Sequence, residues 1–249
     1  MVDPSLLLSS SVPLLLLSHT SLFHHLRYGS FKNFAQLCFR NIRMNEKCLV
    51  IGCGNSAFSS DLYDHGFKQI TNIDFSEQVI HSMKLQNVNR NEMVWEVMDM
   101  TALTYADESY DVVLDKGALD ALMSANTPQA KAQAEDMFQS ILRVLKVNGR
   151  YVCITLAEDY IVEQLLGYFS LTMSMTVQIH TIQTDSPSPF KTFVIILTKR
   201  VTDQPIEIYF DTFGVPLPSQ QKVLLSLSET LEMVPLFFFS SSPHSCLSP

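Results

Sequence analysis

Residues 48–55, C-L-V-I-G-C-G-N, limit what this chain can fold into more than any other stretch. Four apolar residues run unbroken into two glycines spaced by one residue, which reads as a buried strand entering a tight turn. Gly52 suits a turn that a Cβ would obstruct, and Gly54 lets backbone come close to a ligand. A helix from Ser56 follows, with its first amides available to an anionic group. Some way on, Asn72-Ile73-Asp74 closes a second strand with a carboxylate placed to accept both hydroxyls of a ribose. The unit predicts an α/β domain and a nucleoside-containing cofactor. It does not choose the cofactor.

The rest of the chain continues the alternation. Phe31, Phe34, Leu37, Cys38 and Ile42 recur at helical spacing between Tyr28 and Arg43. Strand one spans Cys48–Ile51, and its helix runs from Ser56 to His65, with Gly66 as the left-handed residue that ends it. Strand two is Gln69–Ile73, and Ser76 caps a helix over Glu77–Leu85. Strand three is Met93–Met98 and strand four Asp111–Asp115. A helix over Pro128–Leu145, a turn at Asn148-Gly149, strand five at Arg150–Leu156 and a helix over Asp159–Phe169 complete the alternation. Met173–Ile182 and Phe193–Lys199 then flank Thr184-Asp185-Ser186-Pro187-Ser188-Pro189 with no helical span between them, so one must run antiparallel. The expected fold is a doubly wound, Rossmann-like sheet of seven strands ending in an antiparallel β-hairpin.

The 249 residues have room for one such domain with loose ends. We place it over 28–201. Over 1–27, Leu6–Leu8 and Leu14–Leu17 are split by Ser9–Pro13, and no Lys or Arg precedes Arg27. That pattern fits neither a secretory signal nor a bilayer span, and the leader is expected to lie outside the fold. Residues 202–249 show no periodicity and read as an irregular tail. A formal net charge of -8 argues against a nucleic-acid surface and suits a basic protein or a small molecule. Cys38, Cys48, Cys53, Cys153 and Cys246 lack metal-ligand spacing, and the seven histidines form no H-E-x-x-H. We therefore expect no metal site, no membrane association and a reducing, cytoplasmic setting.

Gly52-x-Gly54-x-x-Ala57 also satisfies the dinucleotide fingerprint. Against a nicotinamide reading, no second nucleotide-binding half follows, and Tyr160 is followed by Gln164 where a reductase would place lysine. Strand three instead closes on Asp99, a carboxylate for an adenine amino group, with backbone beside Met100 for the ring edge. Asp115 ends strand four, where open α/β sheets place ligand chemistry.

Val50-Ile51-Gly52-Cys53-Gly54-Asn55-Ser56, Asn72-Ile73-Asp74-Phe75-Ser76, Met98-Asp99-Met100 and Leu114-Asp115-Lys116-Gly117-Ala118-Leu119-Asp120 follow in this order. Together they resemble the motifs of the seven-stranded S-adenosylmethionine-dependent methyltransferases. The D-K-G-x-L-D-A run is especially similar to the amino-terminal domain of the methyltransferase-like 13 family, the lysine and N-terminal methyltransferases of translation elongation factor 1-alpha. The similarity covers Tyr28 to Val201. It implies cofactor contacts from Gly52, Cys53, Gly54, Asn55, Ser56, Asp74, Phe75, Ser76, Asp99, Met100 and Asp115. It also implies a protein-lysine methyltransferase acting on elongation factor 1-alpha. Asp115 would hold the cofactor's ammonium or orient the substrate amine, and Lys116 stands beside it as a second catalytic candidate. Residues 116–122 would form that wall. The sequence departs from the family before the first helix, keeping Tyr28-Gly29 but carrying Arg27 where the family has tryptophan. The alternatives are a catalytically impaired cofactor-binding module and a small-molecule methyltransferase. No Asn-Pro-Pro-Tyr or Pro-Cys ends strand four, which argues against amide, adenine-N6 and cytosine-C5 methylation.

Overall fold

Leu49 and Ile51 pack into one apolar layer and Cys48 and Val50 into another, and all four are buried. A strand can serve two layers only if helices cover both faces of its sheet. The computed structural model describes residues 28–172, 175–182, 191–200 and 207–213. Its strands are β1 (Cys48–Ile51), β2 (Ile70–Asp74), β3 (Val94–Val97), β4 (Tyr110–Lys116), β5 (Leu145–Thr155), β6 (Met175–Ile182), β7 (Thr192–Lys199) and β8 (Glu207–Phe213). Its helices are α1 (Phe31–Asn41), α2 (Phe58–Asp64), α3 (Glu77–Gln86), α4 (Ala118–Leu122), α5 (Pro128–Val144) and α6 (Asp159–Thr172).

The sheet runs β3-β2-β1-β4-β5-β7-β6-β8. Strands β1 to β5 pair in parallel, and β7 is antiparallel to both β5 and β6. This is the mixed sheet and terminal hairpin that the sequence predicts. Phe34 of α1, Leu62 of α2 and Ile80 of α3 join Val50, Leu114 and Val152 on one face. Leu119 of α4, Phe138 of α5 and Leu165 of α6 join Leu49, Val113 and Tyr151 on the other. Each such aliphatic or aromatic side chain withdrawn from water stabilises the fold by about 1.5–3 kcal/mol.

Helix ends follow the expected chemistry in two places. Ser76 Oγ accepts the Val79 amide at 3.4 Å, and Thr127 Oγ1 accepts the Ala130 amide at 3.2 Å ahead of Pro128. Gly66 has φ +105°, as its role at the end of α2 requires.

Two elements differ from expectation. β8 adds an eighth strand, parallel to β6, inside the stretch expected to be an irregular tail. Ile208, Tyr209 and Phe210 give it strand propensity, but alternate positions mix Glu207 and Asp211 with Tyr209 and Phe213, which hides the period of two. Helix α4 was not expected as a helix, because five residues are too few to show a helical period. The expected leader over 1–27, the turn at 184–189 and the chain beyond 213 lie outside the described residues. Among the described residues no helix is long and apolar enough to cross a membrane.

Candidate active site

Strands β1 and β4 are neighbours, yet the chain leaves β1 toward β2 and leaves β4 toward β5. Such a reversal opens a crevice at the carboxyl ends of the strands. A cavity of about 610 Å³ lies there, a size that suits a small-molecule ligand.

Both turn glycines have positive φ, +52° at Gly52 and +53° at Gly54, but they differ in surroundings. A Cβ on Gly52 would sit 2.7 Å from the Ala118 Cβ, so the turn and α4 fit together only around glycine. A Cβ on Gly54 would meet nothing within 4 Å, and that open room belongs to the cavity. The Gly54 amide donates to Asp74 Oδ2 at 2.9 Å, and the Ser76 amide donates to Asp74 Oδ1 at 3.0 Å. Asp74 is only 7% exposed but lines the cavity. Each oxygen retains a lone pair for a ligand hydroxyl.

Beyond it, Asp99 also lines the cavity, with Oδ1 accepting the Thr101 amide and hydroxyl, both at 2.8 Å. Met98, Met100 and Leu122 supply apolar wall, and Phe75 stands at the cavity 81% exposed. Cys53 lines it too, and burial pushes its thiol well above the ordinary range. Asn55 and Ser56 line the turn itself, because α2 begins at Phe58, two residues later than expected.

Two residues expected at the cofactor lie outside the cavity lining. Ser76 does not line the cavity: its hydroxyl caps α3 and its amide holds Asp74. Asp115 does not line it either. Its carboxylate is fully buried, accepts the Ala118 amide at 2.7 Å, the Leu119 amide at 3.2 Å and the Tyr151 hydroxyl at 2.7 Å. Burial pushes its carboxyl up to about 7. Both of its oxygens are thus engaged by the fold, and none of its surface reaches the cavity.

The neighbouring residues explain the rest of the D-K-G-x-L-D run. Gly117 has φ +76°, and a Cβ there would lie 2.6 Å from the Tyr28 ring. The Tyr28 hydroxyl donates to Asp120 Oδ2 at 2.8 Å, and Asp120 also accepts the Thr155 hydroxyl and, at 2.9 Å, the Leu156 amide. Burial raises the Asp120 carboxyl. Lys116, by contrast, lines the cavity, and burial lowers its ammonium to about 8.

The fold thus brings together Gly52, Cys53, Gly54, Asn55, Ser56, Asp74, Phe75, Asp99, Met100 and Lys116. Sequence reasoning did not find Thr101 or Gln133. Thr101 could have been suspected as the residue that fastens Asp99, whereas Gln133 sits on the exposed side of α5 with no signal. Among the described residues no three His, Cys, Asp or Glu side chains are grouped to hold a metal. The open room at Gly54, the fastened Asp74 and the methionine walls fit a nucleoside with an apolar-faced base.

Comparison with known proteins agrees with that geometry. Residues 49–153 match the family described as "Methyltransferase domain". The chain is 38% identical over 178 residues to the "eEF1A lysine and N-terminal methyltransferase" of Xenopus laevis, covering 69% of this chain and 26% of that protein. It is 44% identical over 144 residues to the Homo sapiens protein of the same name, covering 57% of this chain and 21% of that one. The chain therefore spans about a quarter of the length of these relatives. Against the "EEF1A lysine methyltransferase 4" of Bos taurus the identity is 34%, over 53% of this chain and 54% of that protein. A TehB-like SAM-dependent methyltransferase from Corynebacterium glutamicum shares the fold, with a TM-score of 0.52, 16% identity, and coverage of 76% of this chain and all of that one. A SAM-dependent methyltransferase from Methanosarcina mazei does so with a TM-score of 0.52 and 13% identity, over 67% of this chain and 98% of that one. Residues 49–153 thus match a methyltransferase domain, set in the fold these solved structures share.

Proposed function

We propose that the chain is a protein-lysine methyltransferase whose substrate is translation elongation factor 1-alpha. The observation that carries the catalytic part is the pairing of Asp74 with the Gly54 amide at the edge of the cavity. It presents a fixed carboxylate beside open room, as a ribose requires. The target is supported by the names of the relatives, which describe enzymes of that factor. A cytoplasmic location goes with it, in keeping with the buried free thiols of Cys38, Cys48, Cys53 and Cys153.

When bound, S-adenosylmethionine supplies a methyl group on a sulfonium that leaves without protonation. The chain's own residues then need to bind, orient and dehydrate. Asp74 holds the sugar and Asp99 the base, while Met98, Met100 and Leu122 keep water from the base and the reacting end. A free lysine ammonium has a pKa of about 10.4. Partial burial near the cationic sulfonium disfavours that ammonium and so favours the neutral, nucleophilic amine. Positioning is the larger part of the catalysis.

Isothermal titration with S-adenosylmethionine, followed by transfer of radiolabelled methyl to purified elongation factor 1-alpha, tests the proposal. Saturable binding is expected, with label on the factor that disappears when the labelled lysine is replaced by arginine. Binding with no labelled protein makes the chain a cofactor-binding module instead. Label on a small molecule makes it a small-molecule methyltransferase.

A further inference from the structure

Lys116 brings a cation to the cavity, and no described hydrogen bond or ion pair satisfies it. It ends β4, is half-buried, and lines the cavity. Among the described residues no hydrogen bond or ion pair reaches its Nζ, which lies 5.2 Å from the centre of the Tyr28 ring. A ring face attracts the charge but offers no acceptor. Asp61, on α2, is the acid whose field reaches it. The other acids nearby are committed. Asp115 holds amides and the Tyr151 hydroxyl, and Asp120 holds Tyr28, Thr155 and Leu156. Asp74 and Asp99 line the same cavity and carry their own donors. A partly desolvated ammonium in this position gains most from an anion that arrives with the ligand.

Strand order says which part of the ligand arrives there. Asp99 follows β3, Asp74 ends β2, the Gly52 turn follows β1, and Lys116 ends β4, in the order β3-β2-β1-β4 across the sheet. Asp115 pairs in register with Ile51, so Lys116 stands next to the Gly52 turn. With base at Asp99 and sugar at Asp74, the end of the cofactor remote from the base reaches β1 and β4. That end is an α-amino acid, and its carboxylate is the one anion the molecule carries. We propose that Lys116 is the counter-charge for the α-carboxylate of S-adenosylmethionine and of the product S-adenosylhomocysteine. The assignment rests on the cofactor reading given above. It makes Lys116 a binding residue and takes away the role of catalytic partner to Asp115. Since burial holds the free ammonium at about 8, a carboxylate beside it draws a proton onto the chain when the ligand binds at about pH 8.5.

Isothermal titration separates the parts, with S-adenosylhomocysteine and with 5′-methylthioadenosine, which shares base, sugar and thioether but lacks the amino-acid end. Lys116→Met weakens S-adenosylhomocysteine roughly ten- to a hundredfold and leaves methylthioadenosine within about twofold. Lys116→Arg recovers part of the loss. In buffers of different ionisation enthalpy at about pH 8.5, wild type takes up protons with S-adenosylhomocysteine and none with methylthioadenosine. An unchanged affinity of Lys116→Met for S-adenosylhomocysteine overturns the assignment, as does an equal loss for both nucleosides, which would mark a structural role. Wild type that binds neither nucleoside removes the cofactor reading together with it. Wild type that binds both, with Lys116→Met unchanged, removes this assignment alone.

Discussion

Asp74 and Asp115 look alike in the sequence, each closing a buried strand just before a helix, yet one lines the cavity and the other is sealed inside the fold. The difference lies in who caps the helix that follows. Ser76 caps α3 with its own hydroxyl, so Asp74 has to satisfy only single amides from Gly54 and Ser76. The cap residue of α4 is Gly117, which has no side chain to offer. Gly117 is held to glycine by its positive φ and by the Tyr28 ring that lies on it. The capping duty therefore falls back to Asp115, which turns inward to meet the Ala118 and Leu119 amides. A strand-end aspartate is available to a ligand when another residue caps the next helix.

Removing each carboxylate should separate the two roles. Asp115→Ala leaves two buried amides and the Tyr151 hydroxyl without an acceptor, and should cost on the order of 3 kcal/mol in urea unfolding. The cofactor affinity of the molecules that remain folded should change little. The same residue gives stability a pH signature. Burial raises the Asp115 carboxyl to about 7, so between roughly pH 4 and 7 the folded chain keeps a proton there that the unfolded chain has released. Stability from this group is complete below that window and falls as pH rises through it. Asp115→Asn should flatten the slope in urea melts across the window, leaving the share due to Asp120, whose carboxyl burial also raises. An unaltered slope would place the titration elsewhere.

Asp74→Ala should do the reverse. Loss of two charged hydrogen bonds to a ribose weakens cofactor binding by roughly a hundredfold or more, measured by titration calorimetry. The fold should lose only about 1 kcal/mol, because the Gly54 amide borders open cavity where water can replace the carboxylate. Equal stability losses in the two alanine variants would erase the contrast.

These two residues also show what the sequence makes legible. Strand positions, the glycine turn and Asp74 were readable because local pattern alone determines them: an apolar run, a positive φ, a strand end. For Asp115 the sequence left two roles open, a ligand contact or a cap on the turn that follows. The choice depends on Gly117 having no cap side chain and on Tyr28, far away in the chain, lying over it. Gln133 was hidden for a related reason, because α5 brings an ordinary polar residue to the cavity through tertiary packing. β8 escaped because its partner is β6 at the sheet edge, and its own residues carry no clean alternation. In the motif D-K-G-x-L-D the two aspartates bond within the scaffold, while the lysine lines the cavity.

Tyr28→Phe is the smallest change and probes the link between the start of the domain and α4. It removes the 2.8 Å bond to Asp120 while keeping the ring on Gly117 and beneath Lys116. Asp120 retains the Thr155 hydroxyl and the Leu156 amide, so the loss should be about 1 kcal/mol. The Tyr28 hydroxyl and the Asp115 carboxylate share no hydrogen-bond partner among those described. The double variant Tyr28→Phe/Asp115→Ala should then add to within about 0.5 kcal/mol in urea unfolding. A larger coupling would mean that the hydroxyl and the carboxylate act as one network through α4. In that case the fate of Asp115 is set by the polar contact at Asp120 as well as by the ring over Gly117, and steric exclusion at the cap is only part of what separates it from Asp74.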